Sequence, residues 1–331
     1  MEKMKALLIE EKNGKPVMVA GDTHRPTPSE NELLVKIEAT ALNRADLLQK
    51  TGRYPPPKGA SEILGLEMAG QVVGSGRSVQ NFSEGDRVFG LLPGGGYAEY
   101  CVIPENMAMP VPELFSYEEA AAIPEVFLTA YQALIWLGSL SEEQYVLIHA
   151  GASGVGTAAI QLAAQLKNAH VCTTSGSKRK QELCATLGSE ISINYNEHNF
   201  ADVIEDRLGK ERINLIIDFI GKPYWDQNIQ LLAMDGCLVF LAMMGGAAIE
   251  NISLVPILRK RLSIEGSTLR NRPTAYKEKL TKEFAESSID LFQNEKLKPV
   301  IDSVYDWKDV ESAHQRMEQN KNAGKIVMSV G

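Results

Sequence analysis

One short stretch constrains this chain more than any other. Residues 145–150, Tyr-Val-Leu-Ile-His-Ala, form an apolar run of strand length. It leads directly into Gly151-Ala152-Ser153-Gly154-Val155-Gly156-Thr157, where the glycines fall as G-x-x-G-x-G. Beyond it Val155, Ala158, Ala159, Leu162, Ala163 and Leu166 recur at helical spacing. A strand, a glycine turn and a helix in this order predict a dinucleotide-binding unit. Gly151 permits the tight turn, Gly154 leaves room for a pyrophosphate, and Gly156 allows close helix–sheet packing. The N–H groups and partial positive charge of the helix start then face the phosphates. The alternative is a plain tight turn with no ligand, and the pattern of the next hundred residues argues against it.

Strand-like runs recur at residues 170–174, 191–194, 215–220 and 238–243, with helical stretches between them. Such alternation predicts a parallel sheet wound on both faces, with its ligand at the carboxyl ends of the strands. The first part of the chain reads differently. Runs at 5–10, 32–41, 69–75, 86–91 and 97–103 are broken by Gly- and Pro-rich turns, which predicts an irregular β domain. Residues 124–136 and 276–294 read as helices, and 325–330 as a closing strand. The expected fold class is therefore α/β, a β-rich domain beside a doubly wound parallel sheet.

The second strand of the alternating region decides the cofactor. An NAD site places Asp or Glu at its end, to accept from the ribose hydroxyls. Here the chain reads His170-Val-Cys-Thr-Thr-Ser175-Gly176-Ser177-Lys178-Arg179-Lys180. The acid is missing, and hydroxyls and cations stand in its place, as a 2′-phosphate requires. Three cations at a helix start are unfavourable toward the helix dipole, so a purely solvated face explains them poorly. NADPH is the expected cofactor.

The net charge of −8 argues against nucleic acid or an anionic membrane as a partner. Cys101, Cys172, Cys184 and Cys237 are widely spaced, without a CxxC pair, and read as reduced thiols. No signal-peptide pattern or membrane-length apolar run is present, so a cytoplasmic protein is expected.

Several motifs together resemble the quinone oxidoreductase branch of the medium-chain dehydrogenase/reductase family. They are Asn43-Arg44-Ala45-Asp46, Gly52-Arg53-Tyr54-Pro55-Pro56-Pro57, Leu64-Gly65-Leu66-Glu67, Leu92-Pro93-Gly94-Gly95-Gly96, Pro124-Glu125 and Leu128-Thr129-Ala130. Residues 149–161 and the tail Asn320-Lys321-Asn322-Ala323-Gly324-Lys325-Ile326-Val327 are similar to the p53-inducible members of that branch. The resemblance covers nearly the whole chain. It implies a GroES-like catalytic domain at 1–125 and 270–331, a Rossmann domain at 126–269, a cleft between them and a homodimer.

Carried over by position, the pyrophosphate turn is Gly151 and Ser153-Gly154-Val155-Gly156-Thr157. The 2′-phosphate group is Gly176, Ser177, Lys180 and Tyr195. The nicotinamide side is Asn43, Tyr54, Thr129, Met244-Gly245-Gly246, Ser267-Thr268-Leu269 and Asn322. Tyr54, Ser153 and Asn43 are the catalytic candidates, with Tyr54 as a substrate wall and the Ser153 hydroxyl steadying a carbonyl oxygen. Each has a structural alternative. Asn43 and Ser153 are also good helix caps, Tyr195 a sheet-edge tyrosine, and Thr129 a helix residue bonding its own backbone.

Zinc-dependent relatives carry an early Cys, a His-Glu pair and a cysteine-rich lobe. This sequence has Asn43, Leu66-Glu67 and no cysteine cluster, so no metal is expected. The expected activity is zinc-independent, NADPH-dependent reduction of quinones. The rival readings are a 2-alkenal or enoyl reductase on the same scaffold, and a non-catalytic NADPH-binding sensor, structural protein or RNA binder.

Overall fold

The computed structural model describes residues 2–331. The chain forms two compact units, one of residues up to Leu128 with Arg270–Gly331, the other Thr129–Leu269.

The first unit opens with a hairpin of β1 (Lys3–Lys12) and β2 (Lys15–His24), closed by Asn13 and Gly14. Both turn residues have positive φ, 54° and 72°. That is the twist-matched two-residue turn for which Asn-Gly is selected. Next come β3 (Glu32–Ala41), α1 (Arg44–Lys50), β4 (Glu67–Ser75), β5 (Arg87–Leu91), β6 (Tyr100–Pro104), β7 (Ala108–Pro110), α2 (Tyr117–Ala121) and α3 (Pro124–Tyr131). The reading of one helix over 124–136 needs correction. From Gln132 to Leu137 the helix widens to π geometry.

The second unit holds β8 (Tyr145–Ile148), α4 (Gly154–Lys167), β9 (His170–Ser175), α5 (Lys178–Thr186), β10 (Ser189–Asn194), α6 (Phe200–Leu208), β11 (Ile213–Asp218), α7 (Trp225–Leu231), β12 (Leu232–Phe240), α8 (Val255–Lys260) and β13 (Ser263–Gly266). Its six strands lie in the order β10-β9-β8-β11-β12-β13 and every pairing is parallel. All six carboxyl ends therefore share one edge. Leu147, Ile193, Phe200, Ile204, Ile216, Ile229 and Leu238 fill one core of this unit.

The chain then returns to the first unit as α9 (Thr274–Gln293), β14 (Ile301–Asp306), α10 (Val310–Glu318) and β15 (Lys325–Ser329). β15 pairs antiparallel with β3 and parallel with β14, so the chain end completes the sheet β14-β15-β3-β4-β5-β7. Phe284 and Phe292 of α9 pack against Phe127, and Phe292 meets Phe115 edge-on at 6.0 Å. Each of these four rings is at most 5% exposed, and such aromatics bury the largest apolar area per residue.

Candidate active site

In the second unit the chain leaves β8 through a turn in which Ala150 takes the left-handed conformation, φ 50°. This corrects the role expected of Gly151. Its lack of a side chain serves close approach, since a Cβ there would lie 2.8 Å from Thr173 Cβ and 2.9 Å from Cys184 Sγ. Gly156 is also tighter than helix–sheet packing alone requires. A Cβ would stand 2.4 Å from the Ala150 carbonyl oxygen and 2.6 Å from that of Gly151. The turn folds back on the first turn of α4, and a helix start of this kind is suited to an anion. Ser153 is the N-cap, and its Oγ accepts from the Gly156 N–H at 3.0 Å. Its hydroxyl proton is left to donate elsewhere.

The turn is braced from below. His149 is buried, with Nδ1 2.9 Å from Thr174 Oγ1 and Nε2 2.7 Å from Asn228 Oδ1. Asn228 Nδ2 donates to Asp218 Oδ2 at 2.9 Å, and Asp218 Oδ1 accepts from the N–H groups of Ile220 and Gly221. Burial holds the imidazole below its ordinary pKa, so the ring is neutral. This chain ties the ends of β8, β9 and β11 to α7. Sequence reasoning assigned no part to His149, Asn228 or Asp218, because nothing marks three such residues as neighbours before the sheet order is known.

The carboxyl end of β9 carries no acid. Ser175 is buried and its Oγ has no hydrogen-bond partner. Gly176 lies under the Tyr195 ring, since a Cβ would stand 2.5 Å from Tyr195 Oη. Asn196 Nδ2 donates to the Gly176 carbonyl at 2.9 Å. Ser177 caps α5, its Oγ accepting from the Lys180 N–H. Gly176, Ser177, Lys180 and Tyr195 thus share one neighbourhood. Tyr195 stays 44% exposed and lines a hollow with Asn196, Phe200, Tyr224 and Gln227. The glycine cradle and the orphaned Ser175 hydroxyl fit a dinucleotide.

Farther along the same edge, Met244, Gly245 and Gly246 follow β12. The N–H groups of Met244 and Gly245 donate to the carbonyls of Phe219 and Ile220. Ser267, after β13, donates its N–H to Phe240 and bonds the Gln132 side chain at 3.1 Å, while Leu269 is buried. Thr129 lies on α3, partly buried.

In the first unit Asn43 is the N-cap of α1, and its N–H donates to Asp46 Oδ2 at 2.7 Å. Its side chain turns to other work. Nδ2 donates to Glu67 Oε1 at 2.8 Å, and Oδ1 accepts from Lys325 Nζ at 2.8 Å. Lys325 Nζ also donates to Glu67 Oε1 and to the Leu42 carbonyl, both at 2.7 Å. Glu67 Oε2 accepts from the Glu125 N–H at 2.8 Å. Lys325 and Glu67 are 3% and 0% exposed. Asp46, Tyr97 and His314 extend this polar interior, with the Tyr97 hydroxyl 3.3 Å from both partners. Burial pushes Asp46 up to about 6 and His314 down to about 4. Tyr54 is partly buried beneath the Arg270 guanidinium, 5.5 Å from its ring centre. The Asn322 amide donates to the Gly324 carbonyl at 2.9 Å.

The chain matches the family model described as zinc-binding dehydrogenase over residues 154–288, and that of the alcohol dehydrogenase GroES-like domain over 29–113. It is 29% identical to a quinone oxidoreductase-like protein 2 homolog of Nematostella vectensis, covering 96% of this chain and 86% of that protein. The solved quinone oxidoreductase of Coxiella burnetii is 30% identical over the whole of both chains, with a TM-score of 0.78. A solved NAD-dependent alcohol dehydrogenase superposes with a TM-score of 0.86 at 29% identity, covering 99% of this chain and 100% of the other. The chain belongs to the medium-chain dehydrogenase/reductase family, in its quinone oxidoreductase branch. It is an oxidoreductase of nicotinamide cofactors.

The zinc implied by one model's description does not fit these residues. Zinc needs about three nitrogen, sulfur or oxygen ligands on one point. Among the described residues no group of three His, Cys, Asp or Glu side chains converges. Both Glu67 oxygens already serve Lys325, Asn43 and the Glu125 N–H. All four cysteines are buried, and burial raises the Cys184 and Cys237 thiols to about 11.

Proposed function

We propose that the protein reduces quinones with NADPH, without zinc. The observation that carries the cofactor choice is the end of β9. An unpartnered Ser175 hydroxyl, Gly176 packed close against Tyr195, and Ser177 with Lys180 at a helix start stand where an NAD site keeps a carboxylate. A bound dihydronicotinamide supplies a hydride, and the protein's residues bind, orient and exclude water. The α4 N-terminus would hold the pyrophosphate. Thr129, Met244 to Gly246, Ser267 to Leu269 and Asn322 would border the nicotinamide. Tyr54 would form an aromatic wall for a flat acceptor, and the Ser153 hydroxyl proton would steady its oxygen. Asn43 holds Glu67 and Lys325 together, which makes it a positioning residue.

The test follows NADPH and NADH oxidation by ortho-quinones, para-quinones and enals at fixed enzyme, with and without a strong chelator. Chelator-resistant turnover of quinones with NADPH is expected. One tightly bound zinc per chain, lost together with activity, would overturn the zinc-free reading. Tyr54→Ala should lower quinone turnover while the melting temperature and NADPH binding hold. Loss of stability with unchanged turnover per folded molecule would remove Tyr54 from the site.

A further inference from the structure

In the first unit one buried cation is left without acceptors for most of its donors. Arg270 is 4% exposed. Its Nε donates to the Pro93 carbonyl at 2.9 Å, yet Nη1 and Nη2 have no hydrogen-bond partner. A guanidinium presents five donors in a fixed fork, and buried donors without acceptors are costly. Such a fork has the geometry to receive an oxygen-bearing group. Glu125 lies within electrostatic reach but does not complete it, since no hydrogen bond to its carboxylate oxygens is made by the described residues. The residue stays partly exposed.

Both groups are close in the chain to residues proposed to border the nicotinamide. Arg270 directly follows the Ser267-Thr268-Leu269 segment, and its guanidinium lies over the Tyr54 ring. Glu125 precedes Thr129 by one turn on the same face of α3. We propose that Arg270 and Glu125 form a subsite for the oxygen of a conjugated carbonyl acceptor, Arg270 receiving the oxygen as it gains negative charge and Glu125 delivering its proton. This rests on the reductase reading above. Two-electron reduction of a quinone consumes the hydride and one further proton. That proton leaves the Glu125 carboxyl as the O–H bond forms on the acceptor, and water returns one to the carboxylate.

The surroundings keep Glu125 suited to this. Withdrawal from water pushes its carboxyl up to about 8, and Glu67 and Asp46 push the same way. Lys325 and Arg270 oppose them, and Tyr54 and Lys277 are the other titratable groups that face it. A donor must be protonated, so the competent form prevails below about pH 8 and is lost above it.

The first measurement needs no cofactor. 4-Nitrophenolate is titrated into the cofactor-free protein and followed by its absorbance. Arg270→Gln should weaken its binding at least tenfold; equal binding would overturn the oxygen subsite. The second is turnover. Glu125→Gln should lower kcat at least tenfold, leave the Michaelis constant for NADPH unchanged and remove the alkaline limb of the pH profile. Unchanged kcat and profile would overturn the proton role. The third applies if Glu125→Gln does not fold. Infrared difference spectra of the wild type should then show a protonated carboxyl at pH 7 that disappears as pH passes 8, and its absence would overturn the proposal. Failure of the wild type to reduce any quinone, with phenolate binding still dependent on Arg270, would remove the reductase reading and leave the subsite.

Discussion

The Lys325 ammonium has three acceptors and almost no contact with water. Removing one partner of such a buried pair leaves a charge uncompensated, which costs about 3–5 kcal/mol. Lys325→Met should therefore lower stability by that order in a denaturant titration. Adding Glu67→Gln should recover a large part, because the stranded charge is gone. A single variant as stable as the wild type would show that the pair is not needed. Lys180 makes a different prediction. A charge-assisted hydrogen bond to the 2′-phosphate is worth about 1.5–3 kcal/mol, roughly ten- to a hundred-fold. Lys180→Ala should raise the Michaelis constant for NADPH by that factor and leave NADH unchanged, and equal weakening of both would place Lys180 in the fold instead. The residues of the glycine turn and the β9 end were legible because their spacing is local. Glu67 stands 58 residues from Glu125 and 258 from Lys325 along the chain, and only the tertiary fold joins them.

At the scale of elements, the first turn of α4 leaves no room. Gly156→Ala would force a methyl group to within 2.4 Å of a backbone oxygen. The turn must open, and dinucleotide binding should fall at least tenfold by fluorescence titration while the far-UV spectrum is kept. In the first unit α10 carries His314 against Tyr97. Burial, with Lys50 nearby, lowers its folded pKa to about 4, so between pH 6.5 and 4 the unfolded chain binds more protons than the folded one. The His314 contribution is complete above pH 6.5 and is lost as pH falls toward 4. Asp46, raised to about 6, acts in the opposite sense below that pH. The comparison is therefore between wild type and His314→Gln. The variant should lose roughly 2–4 kcal/mol less on acidification from pH 7 to 4, and parallel curves would show that His314 titrates normally. Not every element was read. β2 was missed although Asn13-Gly14 announces a hairpin, because Pro16 and mixed polarity blur its alternation. β13 is four exposed residues, and β14 is recognisable only through its pairing with β15.

For the molecule as a whole, apolar periodicity was enough to define the parallel sheet, since its central strands β8 and β11 are buried apolar runs, while β10 alternates polar and apolar residues and β13 is exposed. It could not show that the chain end completes the sheet of the first unit. That assignment came from resemblance, because a strand does not name its partner. The edge of the second sheet bears on the proposed homodimer. β13 has a free hydrogen-bonding side, and Ile264 is 38% exposed, with Leu254, Val255 and Leu258 at 68%, 58% and 81% nearby in the chain. Proteins do not leave such an edge bare without consequence. Sedimentation should give a dimer, and Ile264→Lys with Leu258→Lys should shift it to monomer. A monomeric wild type at micromolar concentration would end that expectation.

The hydrogen-bonded series from Asp218 through Asn228 and His149 to Thr174 has direction as well as position. Asn228 gives its amide protons to the carboxylate, so its oxygen faces His149 and fixes the imidazole proton on Nε2. The other ring nitrogen must then accept from the Thr174 hydroxyl. One tautomer is selected before any ligand arrives, and the nucleotide-facing edge of the sheet is preorganised. The Nε2 proton should give a sharp, slowly exchanging downfield resonance in the free protein, and saturation with cofactor should scarcely move it.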